Sequence, residues 1–321
     1  MKNRTNCAVI LAAGFGERFL PITKTIPKPA LPFLNKPMIC WTVEQLINYG
    51  VTKVFVNLHH LPDLIIEALL PYKKKIEINF SFEKNILGTY GLFSKISNSL
   101  PEKFFVVNSD VFLEIPFCQL DQSFSEKENL SALLLLRKKR KGENYTSFLL
   151  ESHFVKKMGE GCFHFCGVYI ARKNFLRFAQ EEKKMELSEI LKEELKKNLI
   201  GGVVFRKEWL DLGTPKMYLN STKICLKKMT EKKMAVPEEN KLIVRDGFSI
   251  LAHKDSYISK TIKLEGFAVL GKKSRLAAAK SAKNVVLLEK AVLNLPQKIR
   301  NAIVFENGIL FSKMDKNKNC G

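Results

Sequence analysis

The sequence predicts an α/β chain: a Rossmann-like domain with a mostly parallel sheet, followed by a small C-terminal left-handed β-helix-like domain. Three observations carry this. Over roughly the first 225 residues, strand-length apolar runs alternate with segments of helical apolar spacing, the grammar of βαβ units. A polar stretch with a proline, Thr230–Asn240, then interrupts the alternation. Beyond it, three short apolar blocks start at Gly266, Asn284 and Asn301, 18 and 17 residues apart. A period near 18 is three hexapeptides, one coil of a left-handed parallel β-helix; an irregular β-sandwich is the alternative. The expected boundaries are 1–229 for the first domain, 230–240 for a linker and 241–321 for the second.

In chain order, Cys7–Ala13 (CAVILAA) is a continuous apolar run, as expected of a strand buried on both faces. Met38–Tyr49 has helical spacing and stops at Gly50, a suitable residue just past a helix end. Val54–Leu58 reads as a strand, Pro62–Leu70 as a helix, and Ile76–Phe82 alternates as a strand with unequal faces does. Phe104–Val107, Leu130–Leu136 and Phe163–Ile170 give further strands, and Ser188–Lys197 a helix with lysines toward its C-terminal end. Thr214-Pro215 looks like an N-cap followed by proline at the first helical position, opening a helix to about Met229.

The composition is ordinary for a globular protein: 321 residues, 46% hydrophobic and 26% charged, which excludes disordered, collagen-like and coiled-coil classes. Lys+Arg 53 against Asp+Glu 32 gives a net charge of +21 and invites an anionic partner. The lysines are scattered rather than gathered in a stripe, so no nucleic-acid partner is expected. Seven cysteines lack disulfide-framework spacing, and the aliphatic run Leu133–Leu136 is far short of the ~20 residues that span a bilayer. The run Ala8–Ala13 is too short for a signal peptide and leads into a glycine loop. A reducing, cytoplasmic setting without a membrane partner is expected.

The densest chemical signal follows the first strand, LAAGFGERFLPITKTIPKPALP at Leu11–Pro32. Gly14 and Gly16 let the backbone turn and present N–H groups to a ligand. Arg18 can fork onto phosphate oxygens. Lys28 lies between Pro27 and Pro29, whose stiffness makes its ammonium a fixed point charge. The dinucleotide fingerprint fails because Phe19 stands where the third glycine belongs.

This segment resembles the signature of the sugar-1-phosphate nucleotidylyltransferases, the group containing mannose-1-phosphate guanylyltransferases and related pyrophosphorylases. The resemblance extends over roughly the first 225 residues, through Asn57–His60 (NLHH), Glu83 with Ile86–Gly91 (ILGTYG), Val106–Val111 (VVNSDV), Cys166–Ile170 (CGVYI) and Trp209–Tyr218 (WLDLGTPKMY). It implies a nucleotidyltransferase domain that joins an NTP to a sugar 1-phosphate, giving an NDP-sugar and pyrophosphate. The implied nucleotide contacts are Leu11, Ala12, Ala13, Gly14, Gly16, Arg18, Glu83, Gly88 and Thr89; the implied sugar contacts are Cys166 and Gly167. Arg18 would face the leaving pyrophosphate and Lys28 the phosphates flanking the new bond. Asp110 lies just past the Phe104–Val107 strand, and Asp211 sits between an apolar segment and a capped helix start. Two hard oxygen ligands plus substrate phosphates are a usual Mg²⁺ arrangement, and the resemblance assigns that ion to Asp110 and Asp211. A Glu83 carboxylate accepting from N1–H and the exocyclic amine favours guanine, hence GTP with mannose 1-phosphate. Glu151–Phe163 lacks the Glu-Lys-Pro segment that often meets the sugar, and Cys166-Gly167 replaces the common Thr-Gly or Asn-Gly. A uridylyltransferase acting on N-acetylmuramate 1-phosphate therefore stands as the enzyme alternative, and a catalytically idle scaffold homologue as the alternative of another class. The C-terminal domain is expected to mediate homo-oligomerisation.

Other signals carry less. Gly266–Lys272 has P-loop spacing, but Lys273 replaces the Ser or Thr that holds Mg²⁺. Cys162, His164 and Cys166 alternate along a strand, with the outer pair about 13 Å apart, too far for one zinc. Arg137–Lys141 (RKKRK) reads as a charged strand exit without a partner, and His59 and His60 as loop histidines.

Overall fold

The computed structural model describes residues 4–245, 247–278, 281–294 and 297–312. By compactness the chain divides into two units: residues 1–15 with 39–209, and residues 16–38 with 210–321. The segment carrying Arg18 and Lys28 thus groups with the C-terminal strands, and residues 230–240 fall inside the second unit.

The first unit is a nine-stranded sheet. Its strands are β1 (Cys7–Leu11), β2 (Lys53–Leu58), β3 (Glu77–Phe82), β4 (Lys103–Asn108), β5 (Ala132–Lys138), β6 (Phe148–Glu151), β7 (Phe154–Met158), β8 (Phe163–Arg172) and β9 (Ile200–Val204). They lie in the order β3-β2-β1-β4-β8-β5-β9-β7-β6. The expectation of a large, mostly parallel sheet is met: β3, β2, β1 and β4 run together, and β9 is parallel to β5. The exceptions are β8, antiparallel to both of its neighbours, and β7 near the edge. The central strands carry no polar face because helices cover both sides: Ala8, Val9, Ile10 and Phe104–Val107 are buried.

The longer helices are α1 (Met38–Tyr49), α2 (Pro62–Leu69), α3 (Phe117–Ser125) and α4 (Leu187–Lys196), and Gly88–Gly91 and Phe93–Ile96 are short helical turns. The bounds of α1 match the sequence expectation, because Gly50 at φ 103° takes the left-handed conformation that ends it. Strands β6, β7 and β9, at one end of the sheet order, and helix α3 lie outside the sequence expectation; β6 and β7 are short, and β9 opens with Ile-Gly-Gly.

The end of the sheet where β1 and β4 begin is stapled by one buried carboxylate. Asp121 on α3 accepts from the Thr5 backbone N–H at 2.9 Å, the Thr5 hydroxyl at 2.7 Å and the Tyr49 hydroxyl at 2.6 Å, and pairs with Lys103 at 2.7 Å. Four elements are tied there, leaving the opposite edge to the loops that follow β1, β2, β3 and β4.

In the second unit, α5 (Pro215–Thr230) precedes β10 (Asn240–Arg245), β11 (Phe248–His253), β12 (Tyr257–Ile258), β13 (Lys263–Leu270), β14 (Arg275–Ala278), β15 (Ser281–Leu287), β16 (Val292–Asn294), β17 (Lys298–Phe305) and β18 (Gly308–Phe311). One sheet has the order β10-β11-β13-β15-β17-β18 and another β12-β14-β16. The three recurring blocks stack in parallel register, Ala268 beside Val285 and Val285 beside Ala302. Each block opens on a left-handed residue, Gly266 at φ 69°, Asn284 at 52° and Asn301 at 49°. The Asn284 amide donates to Asn301 Oδ1 at 2.9 Å, and a Cβ on Gly266 would meet Asn284 Oδ1 at 2.2 Å. Gly266–Leu270 is therefore strand and corner, in keeping with the rejected P-loop reading.

Residues 16–38 join this unit through specific contacts. Asn35 donates to Asn240 Oδ1 at 2.7 Å and to the Leu270 carbonyl at 2.8 Å. The Tyr218 ring meets Phe19 and Phe33 edge-on, and its hydroxyl donates to the Pro32 carbonyl. Among the described residues, no helix is long and apolar enough to cross a membrane.

Burial pushes the Asp121 carboxyl up, but the donors Lys103, Tyr49 and Thr5 outweigh it and hold it below the usual carboxylate range. A depressed folded pKa stabilises above the unfolded value, about 3.9, and that stability is lost as pH falls through the folded value. Asp121→Asn should therefore cost about 3 kcal/mol at neutral pH, and its gap from wild type should close in acid below about pH 4. Urea melts of both proteins from pH 7 to pH 2 check this; a gap constant throughout contradicts it.

Candidate active site

Parallel pairing decides which loops meet. Leu11 lies beside Asn108, and the Ser109 N–H donates to the Leu11 carbonyl at 3.3 Å. The loop after β1 and the turn carrying Asp110 therefore leave the same carboxyl edge, where ligands of parallel sheets bind. On the other side, Ile10 lies beside Val56 and Leu58 beside Phe82, so the ends of β2 and β3 reach that edge too.

The first unit gathers Leu11–Gly14, Glu83, Gly88, Thr89, Asp110, Cys166 and Gly167. Past the end of β1, the Ala12 N–H donates to Asn57 Oδ1 at 2.7 Å. Ala12 and Ala13 are buried, whereas Gly14 is exposed and a Cβ on it would have nothing within 4 Å. The next residue, Phe15, is 47% exposed and packs edge-on against His59, with His60 beside it.

Glu83 lies inside the protein. It is 4% exposed, and each oxygen already accepts a protein hydrogen bond. Oε1 accepts from the Asn57 amide and Oε2 from the Leu87 N–H, both at 2.8 Å. The Glu83 carbonyl meets His59 Nδ1 at 2.8 Å, so that nitrogen carries the proton. The short helix Gly88–Gly91 is pinned at its start to the segment before α4. Thr89 Oγ1 donates to Glu186 Oε2 and accepts from the Leu187 N–H, both at 2.8 Å. A Cβ on Gly88, at φ 79°, would meet the Met185 carbonyl at 2.5 Å. Asn57 and Glu186 are the residues that sequence reasoning misses; NLHH marks the place of the asparagine without giving it a role.

Cys166 also lies inside the protein. Its side chain is fully buried, burial pushes the thiol up to about 12, and its carbonyl accepts from Trp209 Nε1 at 3.0 Å. Gly167 is required by geometry: φ is 81°, the β5–β8 register slips here, and a Cβ would meet Val111 at 3.1 Å and Asn108 at 3.2 Å. A cavity of about 300 Å³ opens beside this bulge, lined in part by Thr89, Asn108, Tyr145, Phe148 and Phe165.

The basic run Arg137–Lys141 begins inside the protein. Arg137 is buried, donates to His164 Nε2 at 2.9 Å and pairs with Glu143 at 2.6 Å. Burial holds the His164 imidazole below its usual range, so the ring is neutral at pH 7. Cys162 is exposed while His164 and Cys166 are buried, so the three do not share one environment.

The second unit gathers Gly16, Arg18, Lys28 and Asp211. Gly16 has φ 68°, and a Cβ would lie 2.9 Å from both Lys28 Cβ and Thr23 Cγ2. Its carbonyl accepts from the Phe19 N–H and the Thr23 hydroxyl, folding the loop back on itself. Lys28 opens a short 3₁₀ turn after Pro27 and is buried, its ammonium 5.7 Å from the Phe19 ring centre. Asp-Leu-Gly-Thr-Pro now has a local explanation. Asp211 Oδ1 accepts from the Gly213 N–H at 2.5 Å, Thr214 caps α5 by accepting from Met217, and Pro215 occupies the first helical position. A Cβ on Gly213 would lie 2.6 Å from Asp211 Oδ1 and 3.2 Å from Arg18 Nη1. Carboxylate and guanidinium thus flank one glycine.

No cluster of three or more His, Cys, Asp or Glu able to hold a metal occurs among the described residues. The carboxylates of Asp110 and Asp211 are hard oxygen donors, which suits Mg²⁺, an ion that takes one or two carboxylates and otherwise binds water and substrate phosphate.

A model of the nucleotidyl transferase family matches residues 7–228. The mannose-1-phosphate guanyltransferase of Schizosaccharomyces pombe is 30% identical over 279 residues, covering 83% of this chain and 73% of that protein. Its counterpart in Yarrowia lipolytica is 30% identical over 237 residues, covering 70% of this chain and 65% of the relative, just under two thirds. Among solved structures, a putative glucose-1-phosphate thymidylyltransferase from Bacillus anthracis in complex with a sucrose superposes with TM-score 0.61 at 17% identity, over 68% of this chain and 94% of the other. HddC from Yersinia pseudotuberculosis complexed with GMP-PN gives 0.57 at 21% identity, over 69% and 100%. At these identities the structures support the fold alone.

Two glycines should separate folding from binding. Gly14→Ala fills open space, so its melting temperature should match wild type while the KM for the nucleoside triphosphate rises about 10-fold, a loss near 1.4 kcal/mol. Gly213→Ala displaces Asp211 and Arg18, and should lower kcat about 100-fold. Thermal melts with steady-state kinetics check both; a destabilised Gly14→Ala or a fully active Gly213→Ala contradicts them.

Proposed function

We propose that this chain, which belongs to the nucleotidyl transferase family, transfers a guanylyl group from GTP to mannose 1-phosphate, giving GDP-mannose and pyrophosphate. The observation that carries the reading is the 30% identity, over 83% of this chain, to a mannose-1-phosphate guanyltransferase.

The chemistry is one in-line displacement at phosphorus. A phosphate oxygen of the sugar 1-phosphate attacks the α-phosphorus of GTP, an O–P bond forms, and the bond to the β-phosphate oxygen breaks as pyrophosphate leaves. The nucleophile is already an anion, so the step needs no general base. What the protein must supply is alignment and charge neutralisation. Arg18 is assigned to the departing pyrophosphate, where a guanidinium fork matches two oxygens. Lys28, between two prolines, is assigned to the phosphates flanking the new bond. Gly14 and the adjacent backbone, with Gly88 and Thr89, are assigned to the nucleotide, and Gly167 to the sugar side. Asp110 and Asp211 are assigned to Mg²⁺, which supplies positive charge against the reacting phosphates when bound.

The stacked C-terminal strands are read as a left-handed β-helix and as the surface through which copies of the chain associate. The reading carries a cytoplasmic setting and no nucleic-acid partner.

Pyrophosphate release with Mg²⁺ should be measured for GTP, UTP, dTTP, CTP and ATP crossed with a panel of sugar 1-phosphates. GTP with mannose 1-phosphate should exceed every other pair, and Asp110→Asn should lower kcat at least about 100-fold. A preference for UTP with N-acetylmuramate 1-phosphate would install the uridylyl alternative. Silence across the panel from folded protein would install the idle-scaffold reading.

A further inference from the structure

The Asn57 side chain holds together the two backbone segments assigned to the nucleotide. We infer that Asn57 is a positioning residue that sets the base-side geometry of the nucleotide pocket by relaying the order of Glu83 to Ala12. This rests on the nucleotidyl-transfer reading above.

The relay is a chain of three hydrogen bonds within the first unit. The Ala12 N–H donates to Asn57 Oδ1 at 2.7 Å, the Asn57 amide donates to Glu83 Oε1 at 2.8 Å, and the Leu87 N–H donates to Glu83 Oε2 at 2.8 Å. Its polarity follows from chemistry. A backbone N–H only donates, so the atom facing Ala12 is the amide oxygen, which leaves the amide nitrogen to donate to Glu83. Asn57 is 3% exposed and Glu83 4%, so no water substitutes for either partner.

The two ends of the relay are what give it consequence. Ala12 follows the last residue of β1 and precedes the Gly14 turn; its N–H turns to Asn57 where the strand ends. Leu87 immediately precedes Gly88 and Thr89. With both of its oxygens engaged by Asn57 and Leu87, Glu83 acts on the base through the backbone it holds rather than by touching the base. Asparagine is needed because position 57 must accept on one side and donate on the other within one short planar group. Aspartate there keeps the Ala12 contact but sets a carboxylate against Glu83. Glutamine in place of Glu83 turns a donor toward either the Asn57 amide or the Leu87 N–H. The double change restores the pattern with reversed polarity. The introduced aspartate accepts from Ala12 and from the amide of the introduced glutamine, whose oxygen accepts from Leu87.

The test uses the full chain with GTP and UTP as probes, with affinity read by calorimetric titration, turnover by pyrophosphate release and folding by thermal melts. Asn57→Asp and Glu83→Gln should each weaken GTP at least 10-fold and shift the GTP/UTP affinity ratio. The KM for mannose 1-phosphate should move less than 2-fold. The double variant Asn57→Asp/Glu83→Gln should return to within 3-fold of wild-type GTP affinity. Single variants that bind GTP like wild type overturn the inference, as does a double variant no tighter than the weaker single. If Asn57→Asp does not fold, Glu83→Gln decides alone: a 10-fold loss for GTP with an unmoved sugar KM supports the relay, and unchanged GTP affinity overturns it. A wild-type chain that binds GTP without turnover fails the proposed reaction while the titrations still decide the relay; one that binds no nucleoside triphosphate overturns both.

Discussion

The site depends first on the register of β1 between two parallel neighbours. Ile10 beside Val56 and Leu11 beside Asn108 bring the ends of three strands to one edge, and a one-residue slip would turn every side chain of β1 to the opposite face. That register is held from the far end. Asp121 ties the start of β1 to the end of α1 and the start of β4, so the strands enter the sheet at fixed height. The loops on the open edge are free to be built for ligands, because alignment of the strands is settled elsewhere.

The loops themselves are shaped by what cannot be there. Gly16, Gly88, Gly167 and Gly213 each exclude a Cβ for a nameable reason: Lys28 and Thr23, the Met185 carbonyl, Asn108 and Val111, and the Asp211 carboxylate with Arg18. Gly14 is the exception, with open space where a Cβ would go. A glycine that no protein atom requires, at the carboxyl edge of a parallel sheet, is where a ligand backbone contact is expected. The second unit adds a different constraint. Asn35 hydrogen-bonds Asn240 and the Leu270 carbonyl, so the segment bearing Arg18 and Lys28 is supported by the strands that follow α5.

Much of this is legible in the sequence because it is local. Apolar periodicity gives α1 its bounds to the residue, and Thr214-Pro215 announces a helix start that the Met217 N–H contact bears out. The spacing of Gly266, Asn284 and Asn301 reveals the stacked blocks, since each coil must repeat its left-handed corner. What stays hidden depends on contacts distant in sequence. The pairing of residues 16–38 with strands more than 200 residues later leaves no mark in composition or period. Asn57 and Glu186 each act through a single side chain at an element's end, where no periodic signal exists. The motifs of Glu83 and Cys166 point to ligand contacts, yet both are buried, because a motif fixes the place in the chain but not the direction of the side chain. Arg137, in a run of five basic residues, looks solvated in sequence and instead lies against His164 and Glu143.

The central claim is a direct, reversible transfer between a triphosphate and a sugar phosphate on these loops. Its most direct test is the reverse reaction: the full chain with Mg²⁺, GDP-mannose and radiolabelled pyrophosphate, with nucleotides separated over time. The account predicts label in GTP only when GDP-mannose is present, with mannose 1-phosphate formed in equal amount. Exchange of label into added unlabelled GTP without any sugar nucleotide would indicate a covalent nucleotidyl-enzyme and contradict direct displacement. Absence of labelled GTP from folded protein would contradict the assigned reaction itself.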